Sequence, residues 1–195
     1  MFGVMKLVLA TQNPNKVKEI QAVLPSTWSV TTALEAGITA ELPETGETLD
    51  ANAREKAAFL QEYTGGFALS DDSGLEVDAL DGAPGVYSAR YGGPEKDDAL
   101  NRAALLRAMD GQTQRSARFR TVMAWATPTG MTTYEGVVEG TLLTAERGTG
   151  GFGYDALFVP IDGDGRTFAE MSVDEKKAMS HRSRALRAWM EDLRS

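Results

Sequence analysis

Two aspartates, Asp71 and Asp72, stand side by side in FALSDDSGLEVDALDGAPGVYSARYGG, directly after the apolar run Phe67, Ala68 and Leu69. That run reads as the end of a buried strand, and successive side chains on a strand point to opposite faces. If the extended backbone persists, one carboxylate faces a cleft and the other turns away. A carboxylate so placed could bind a metal, a water or a phosphate-bearing ligand; a polar turn of Asp, Ser and Gly is the competing explanation. Upstream, Glu44 in LPETGET supplies another carboxylate, and DANAREKAAF adds Asn52 and Lys56. Glu44 and Asp72 could together hold Mg2+, with waters completing its octahedron. An acidic loop and a charged helix face would account for the same residues without a ligand.

The segment ATQNPNKVKEI joins an expected first strand to a helix. Backbone N–H groups at a helix start attract anions, and Lys16 adds a positive charge there. Thr11 and Asn13 can hydrogen-bond phosphate oxygens. The spacing GxxxxGK[ST] is missing, so this is not a P-loop, and an Asn-Pro turn capping a helix explains the loop about as well. GTGGFGYD, from Gly148 to Asp155, contains GxGxxG, but the ALFVP after it looks like a strand. A dinucleotide fingerprint must open a helix, so that reading is rejected. Glycines here permit close backbone approach to a ligand, and Phe152 or Tyr154 offers a flat face for a base. In isolation, a glycine-rich turn with core aromatics is the simpler account.

The single histidine, His181, precedes Arg182 in MSHRSRAL. A lone histidine is more often a cap or packing residue than a catalyst. Arg182 could pair with an acid on the helix surface, yet its donors-only side chain could also read a carbonyl edge. Lys176 lies five residues before His181 and would join the same site if the helix start faces it.

The elements that must position these residues follow from apolar spacing. Val4–Ala10 and Trp28–Ala33 read as strands, and Lys16–Leu24 has helical spacing. Thr48–Tyr63 reads as a helix with Gly65 and Gly66 as its stop. Pro94 suits a first helical turn leading into a helix over Asp98–Met109. Ala117–Ala126 and Tyr134–Leu143 suit a hairpin around Pro128–Gly130, and Ala156–Val159 a further short strand. Ser172-Val-Asp-Glu175 matches a capping box. The last helix carries Leu186, Trp189, Met190 and Leu193 as its apolar face; its spacing leaves open whether it is continuous from Val173 or breaks near Ser180–Ser183. Strand–helix alternation followed by strand pairs gives an α/β class with a mixed sheet.

The 195 residues suit one domain, and 42% hydrophobic with 25% charged residues is ordinary soluble composition. A net charge of −8 without a basic run argues against nucleic-acid binding. The absence of cysteine excludes disulfides and thiolate metal sites. The first residues lack a signal-peptide pattern, and no run approaches the ~18 apolar residues of a membrane span. A cytoplasmic protein away from membranes is the expectation.

The order of the motifs TxNxxK, ETGxT, NAxxKA, SDDSGLEVDALDGAPGVYSARYGG, GTGGFGYD and EKKAMSHRSRAL decides more than each alone. From about Leu7 to Leu193 the chain closely resembles the ITPase-like family of noncanonical purine nucleoside triphosphate pyrophosphatases. The resemblance implies an elongated two-lobed α/β fold over residues 1–195, with a long central mixed β-sheet and a cleft between lobes. It implies a homodimer that hydrolyses ITP, dITP and XTP to the monophosphate and pyrophosphate with Mg2+. Thr11, Gln12, Asn13, Pro14, Asn15 and Lys16 then look like a phosphate loop, with Gln12 and Pro14 at variable positions. Asp72 matches the catalytic aspartate, Ser73 a substrate contact, and Glu44 with Asp72 the metal position. Lys56 joins Lys16 and Lys176 in holding the triphosphate. Phe152, Gly153, Tyr154, Asp155, Lys176, His181 and Arg182 match nucleotide-binding positions. The loop after Gly130 is short. A Maf-like nucleotide pyrophosphatase and a catalytically silent nucleotide sensor are the rival readings; GTGGFGYD and the SHR segment speak against the first, and intact Asp72 and Glu44 against the second. A haloacid-dehalogenase-type phosphatase would require DxDx[TV], which Asp71–Asp72 lacks.

Overall fold

Leu7, Val8 and Leu9 are all buried, as a strand covered on both faces requires, and they lie inside the sheet. The computed structural model describes residues 5–11, 17, 18, 20, 21 and 24–194. Its strands are β1 (Met5–Leu9), β2 (Trp28–Thr32), β3 (Phe67–Val77), β4 (Ser116–Thr127), β5 (Gly130–Leu142) and β6 (Phe158–Pro160). They form one sheet in the order β2-β1-β3-β4-β5-β6. β1 runs parallel to β2 and β3, with Leu7 opposite both Val30 and Phe67, whereas β5 and β6 are antiparallel. The helices are α1 (Leu49–Thr64), α2 (Asp98–Ala108), α3 (Val173–Met179) and α4 (His181–Asp192), and residues 17, 18, 20 and 21 are also helical. The class is α/β with a mixed sheet, as expected. Among the described residues, no helix is long and apolar enough to cross a membrane.

The chain divides into two compact units. The first takes the described residues up to Asp72, Val122–Tyr134 and those from Trp189; the second takes Ser73–Thr121 and Glu135–Ala188. In the first unit, Phe67 meets Trp28 edge-on at 4.9 Å and stacks on Trp125 at 5.5 Å, and Trp125 lies 5.5 Å from Trp189. Helix α1 starts at Thr48, whose hydroxyl accepts the Ala51 N–H at 3.1 Å. Its buried stripe is Leu49, Asn52, Ala53, Lys56, Ala57 and Leu60. This is the helical period, but with an amide and an ammonium at two core positions. In the second unit, Phe119 lies 4.7 Å from Phe158 and 6.0 Å from Phe168 within a core that includes Leu75, Leu105 and Leu157.

Several boundaries differ from the sequence reading. The strand at Phe67 does not end near Leu69 but runs to Val77. Its polar residues stay in the sheet because they have partners: the Ser70 hydroxyl donates to the Ala53 carbonyl, and Asp72 is bonded on both oxygens. Pro94 lies in a turn before the helix, which begins at Asp98 because the Asp97 carboxylate accepts the Leu100 N–H at 2.8 Å. The short strand expected at Ala156 starts at Phe158. Leu193 lies past the end of α4 and is 38% exposed, so the apolar face ends earlier.

The C-terminal helix breaks at Ser180, which is extended and whose hydroxyl accepts the Ser183 N–H at 3.2 Å. The capping box is present: Ser172 and Glu175 bond each other's backbone N–H. Arg166 beside Glu175, with Ser172, brings that carboxyl down to about 2. Helix α4 then passes so close to β5 that a Cβ at Gly136 would lie 2.0 Å from the His181 carbonyl oxygen and 2.5 Å from the Ala185 nitrogen. Only glycine lets the strand meet the helix start that carries His181. Gly136→Ala is therefore expected to destabilise the fold by roughly 1–3 kcal/mol, the range for overpacking. Urea unfolding checks this, and an unchanged midpoint would contradict the close approach.

Candidate functional site

Two polar positions on the core stripe of α1 meet a polar position on β3. Lys56 Nζ donates to Glu44 Oε1 at 2.7 Å and to Asp72 Oδ1 at 3.1 Å. Asn52 Nδ2 donates to Asp72 Oδ2 at 3.3 Å, and Asn52 Oδ1 accepts the Gly46 N–H at 2.8 Å. Asn52 thus holds the ETG loop with one end and the catalytic candidate with the other. The Lys56 side chain is 7% exposed, that of Asp72 16% and that of Glu44 40%. A desolvated ammonium needs paired charges, and these two carboxylates converge on it.

Burial pushes the Asp72 carboxyl up; the Lys56 charge and hydrogen bond and the Asn52 amide pull it down, and Glu44 raises it again. The outcome lies above the ordinary aspartate value. Burial works to lower Lys56, but the charge of Asp72, the bond and charge of Glu44, and Asp71 outweigh it, so its ammonium is held above the usual lysine value. Glu44 and Asp72 are hard oxygen donors brought to one cation. Mg2+ is commonly bound by one or two carboxylates plus waters and substrate phosphates, so this donor set fits it. Among the described residues, no group of three or more His, Asp or Glu could hold an ion.

The second unit contains a pocket of about 180 Å³. Ser73, Gly74 and Leu75 of β3 line it, with Phe119 of β4, the Phe152–Asp155 turn, Lys176 and His181. Asp155 is 3% exposed and organises the turn: its Oδ2 accepts the Phe152 N–H at 2.9 Å and an ion pair from Lys176. Lys176 Nζ also lies 4.2 Å from the centre of the Phe152 ring, a cation–π contact. The Tyr154 hydroxyl donates to the Ser88 carbonyl at 2.8 Å, and burial, with Tyr91 and Asp98, raises that phenol well above its usual range. His181 stacks on Phe119 at 4.9 Å, with the planes 12° apart. The Ser73 and Thr121 hydroxyls share a hydrogen bond of 2.6 Å. The pocket is apolar on its aromatic walls and polar at a few fixed points, the usual composition of a small-molecule site.

The sequence-derived residues therefore gather in two places. Glu44, Lys56 and Asp72 meet in the first unit, where Thr11 follows Ala10, whose N–H donates to Leu69 at 2.9 Å. Ser73, Phe152, Gly153, Tyr154, Asp155, Lys176 and His181 line the pocket, while Arg182 is half-buried and lies outside its lining. Gln12, Asn13, Pro14, Asn15 and Lys16 lie outside the described residues. Sequence reasoning missed Phe119, the platform for His181, and also Asp98 and Arg102. The last two bond the Gly153 backbone at 2.6 and 2.9 Å. Asp98 and Arg102 share one helix face, but nothing local in the sequence links that face to Gly153.

The sequence model of the Ham1 family matches residues 7–192. A dITP/XTP pyrophosphatase of Desulforamulus reducens is 50% identical over 193 residues, covering 97% of this chain and 96% of that protein. One from Exiguobacterium sp. is 49% identical over 185 residues, 94% of each chain. The structure of the Staphylococcus aureus Ham1 protein matches with a TM-score of 0.93 at 33% identity, over 97% of this chain and 98% of that one. The chain belongs to the Ham1 family.

The Asp72 balance can be tested without turnover. Its carboxyl, followed by carbon NMR with Asp72→Asn for assignment, is expected to titrate above the ordinary aspartate range. Lys56→Met removes the first of the groups that lower it, so the midpoint should move higher still. Because the folded value is raised, Asp72's contribution to stability is present below the ordinary value and lost as pH rises through the folded one. A midpoint that falls on losing Lys56 would contradict the account.

Proposed function

We propose that this Ham1-family chain hydrolyses the noncanonical purine nucleotides dITP, XTP and ITP to the monophosphate and pyrophosphate, clearing them from the nucleotide pool. The observation that carries the chemistry is the convergence of the Glu44 and Asp72 carboxylates on Lys56, at 2.7 and 3.1 Å. The substrate class is supported by near full-length likeness to proteins named dITP/XTP pyrophosphatase.

Water attacks the α-phosphorus in line, the bond from that phosphorus to the bridging oxygen breaks, and pyrophosphate leaves. Asp72, a stronger base than an ordinary aspartate, accepts the water's proton. Lys56 keeps the Asp72 carboxylate oriented, and with Lys16 it would neutralise charge on the phosphates. Glu44 and Asp72 would hold Mg2+, which when bound neutralises phosphate charge and lowers the pKa of water. Asp71, next along the strand, would serve the surrounding charge balance.

The pocket would take the purine. Hypoxanthine and xanthine present a 6-oxo acceptor, which Lys176, His181 or Arg182 could meet with a donor. Adenine presents a 6-amino donor, which a site of donors rejects. Guanine shares the 6-oxo group, so its exclusion rests at position 2, where xanthine carries an oxygen and guanine an amino group. A homodimer in the cytoplasm, acting on free nucleotides, completes the reading; the net charge of −8 supports the absence of a nucleic-acid partner.

Pyrophosphate release with Mg2+ tests the proposal. ITP and XTP should be hydrolysed at least ~100-fold more efficiently than ATP, a conservative figure for a site that must leave polar groups unpaired with the wrong base. Equal turnover of all of them would overturn the account of base selection. Release from none would overturn the activity.

A further inference from the structure

Gly153 sits at the centre of the Phe152–Asp155 turn with φ +58, in the left-handed region that favours glycine. Such a residue is the freest rotor of a turn, and rotation about it would swing Phe152 relative to Tyr154. Tyr154 is 3% exposed and anchored through its hydroxyl, whereas the Phe152 ring is 70% exposed. The orientation of that ring therefore depends on what fixes the glycine. Both hydrogen-bonding groups of Gly153 are held: its N–H donates to Asp98 Oδ2 at 2.6 Å, and its carbonyl accepts from Arg102 Nη1 at 2.9 Å. The two side chains come from α2 at a spacing that puts them on one helix face. Arg102 also lies in ion-pair range of Glu146, its Nε 3.0 Å from Glu146 Oε1. Asp98 also lines the pocket.

We infer that Asp98 and Arg102 are positioning residues for the purine, a clasp that locks the Gly153 peptides and so sets the angle of the Phe152 face against the base. The clasp touches no reacting atom, and neither residue belongs to the carboxylate cluster. It governs how tightly the base is held and leaves the chemical step alone. This rests on the reading of the pocket as the purine site given above.

Calorimetric titration separates the possibilities, with IMP as the probe of base and phosphate together and pyrophosphate as the probe of phosphate alone. Asp98→Ala and Arg102→Ala should each weaken IMP roughly five-fold, the scale of one net hydrogen bond, and leave pyrophosphate affinity unchanged. The double variant should fall short of the product of the singles, because both act on one residue. Asp98→Asn keeps an acceptor and Arg102→Lys a donor, so both should recover much of the loss. For ITP turnover, KM should rise while kcat holds, as when binding common to ground and transition state is removed. IMP affinity equal to wild type in both alanine variants would overturn the clasp. So would parallel loss of IMP and pyrophosphate binding with a lowered Tm, which marks general damage to the fold. A wild-type protein that binds pyrophosphate but not IMP would overturn the purine-site reading and, with it, the clasp.

Discussion

The geometry of the Glu44–Lys56–Asp72 cluster depends on one buried charge. Lys56 stands on the core-facing stripe of α1, where its helical period calls for an apolar residue, and is 6% exposed. An ammonium taken out of water has to be met by opposite charge, and Glu44 and Asp72 supply it from a loop and from β3. That requirement draws the ETG loop, the helix and the middle of the strand to one point. Replacing a buried ion pair by apolar residues is often neutral or stabilising, so the fold has little need of this arrangement for its own sake. The cluster makes more sense as a device that keeps an aspartate partly desolvated and aimed.

The second unit solves a different problem with similar means. A purine, as proposed, would need a flat face and a few fixed donors, and the Phe152–Asp155 turn would offer them only if it is rigid. Asp155 gives one oxygen to the Phe152 N–H and to Lys176, which ties the turn to α3. Tyr154 is pinned to Ser88, and His181 is laid flat on Phe119. The absence of a side chain at Gly136 lets the start of α4 come close enough to β5 to put His181 there. Backbone shape and aromatic packing, more than any single charge, make this pocket.

The class, the order of the helices and most strands were legible because their apolar spacing is regular and their caps are local: Thr48, Ser172 and Glu175 signal helix starts in the sequence itself. The motif residues were legible through their order, and the family to which they pointed is the one the chain belongs to. The extent of β3 was hidden, because Ser70, Asp71 and Asp72 look like the end of a strand until their tertiary partners are known. The break at Ser180 stayed open for a related reason, since a serine can continue a helix or cap the next one. Phe119 and Arg102 could not be assigned from type alone; one looks like core and the other like helix surface. What they do is set by contacts with residues 62 and 51 positions away, and no local pattern encodes those.

The central claim is that Asp72 performs the chemical step while the pocket binds the base independently of it. Single-turnover hydrolysis of ITP by Asp72→Asn, with IMP affinity measured on the same preparation, tests this directly. The rate should fall roughly 100-fold or more, as for removal of a general base, with IMP affinity within about two-fold of wild type, since asparagine keeps the side-chain shape and Asp72 is not among the residues lining the pocket. A variant that hydrolyses ITP at the wild-type rate would contradict the assignment of the carboxylate.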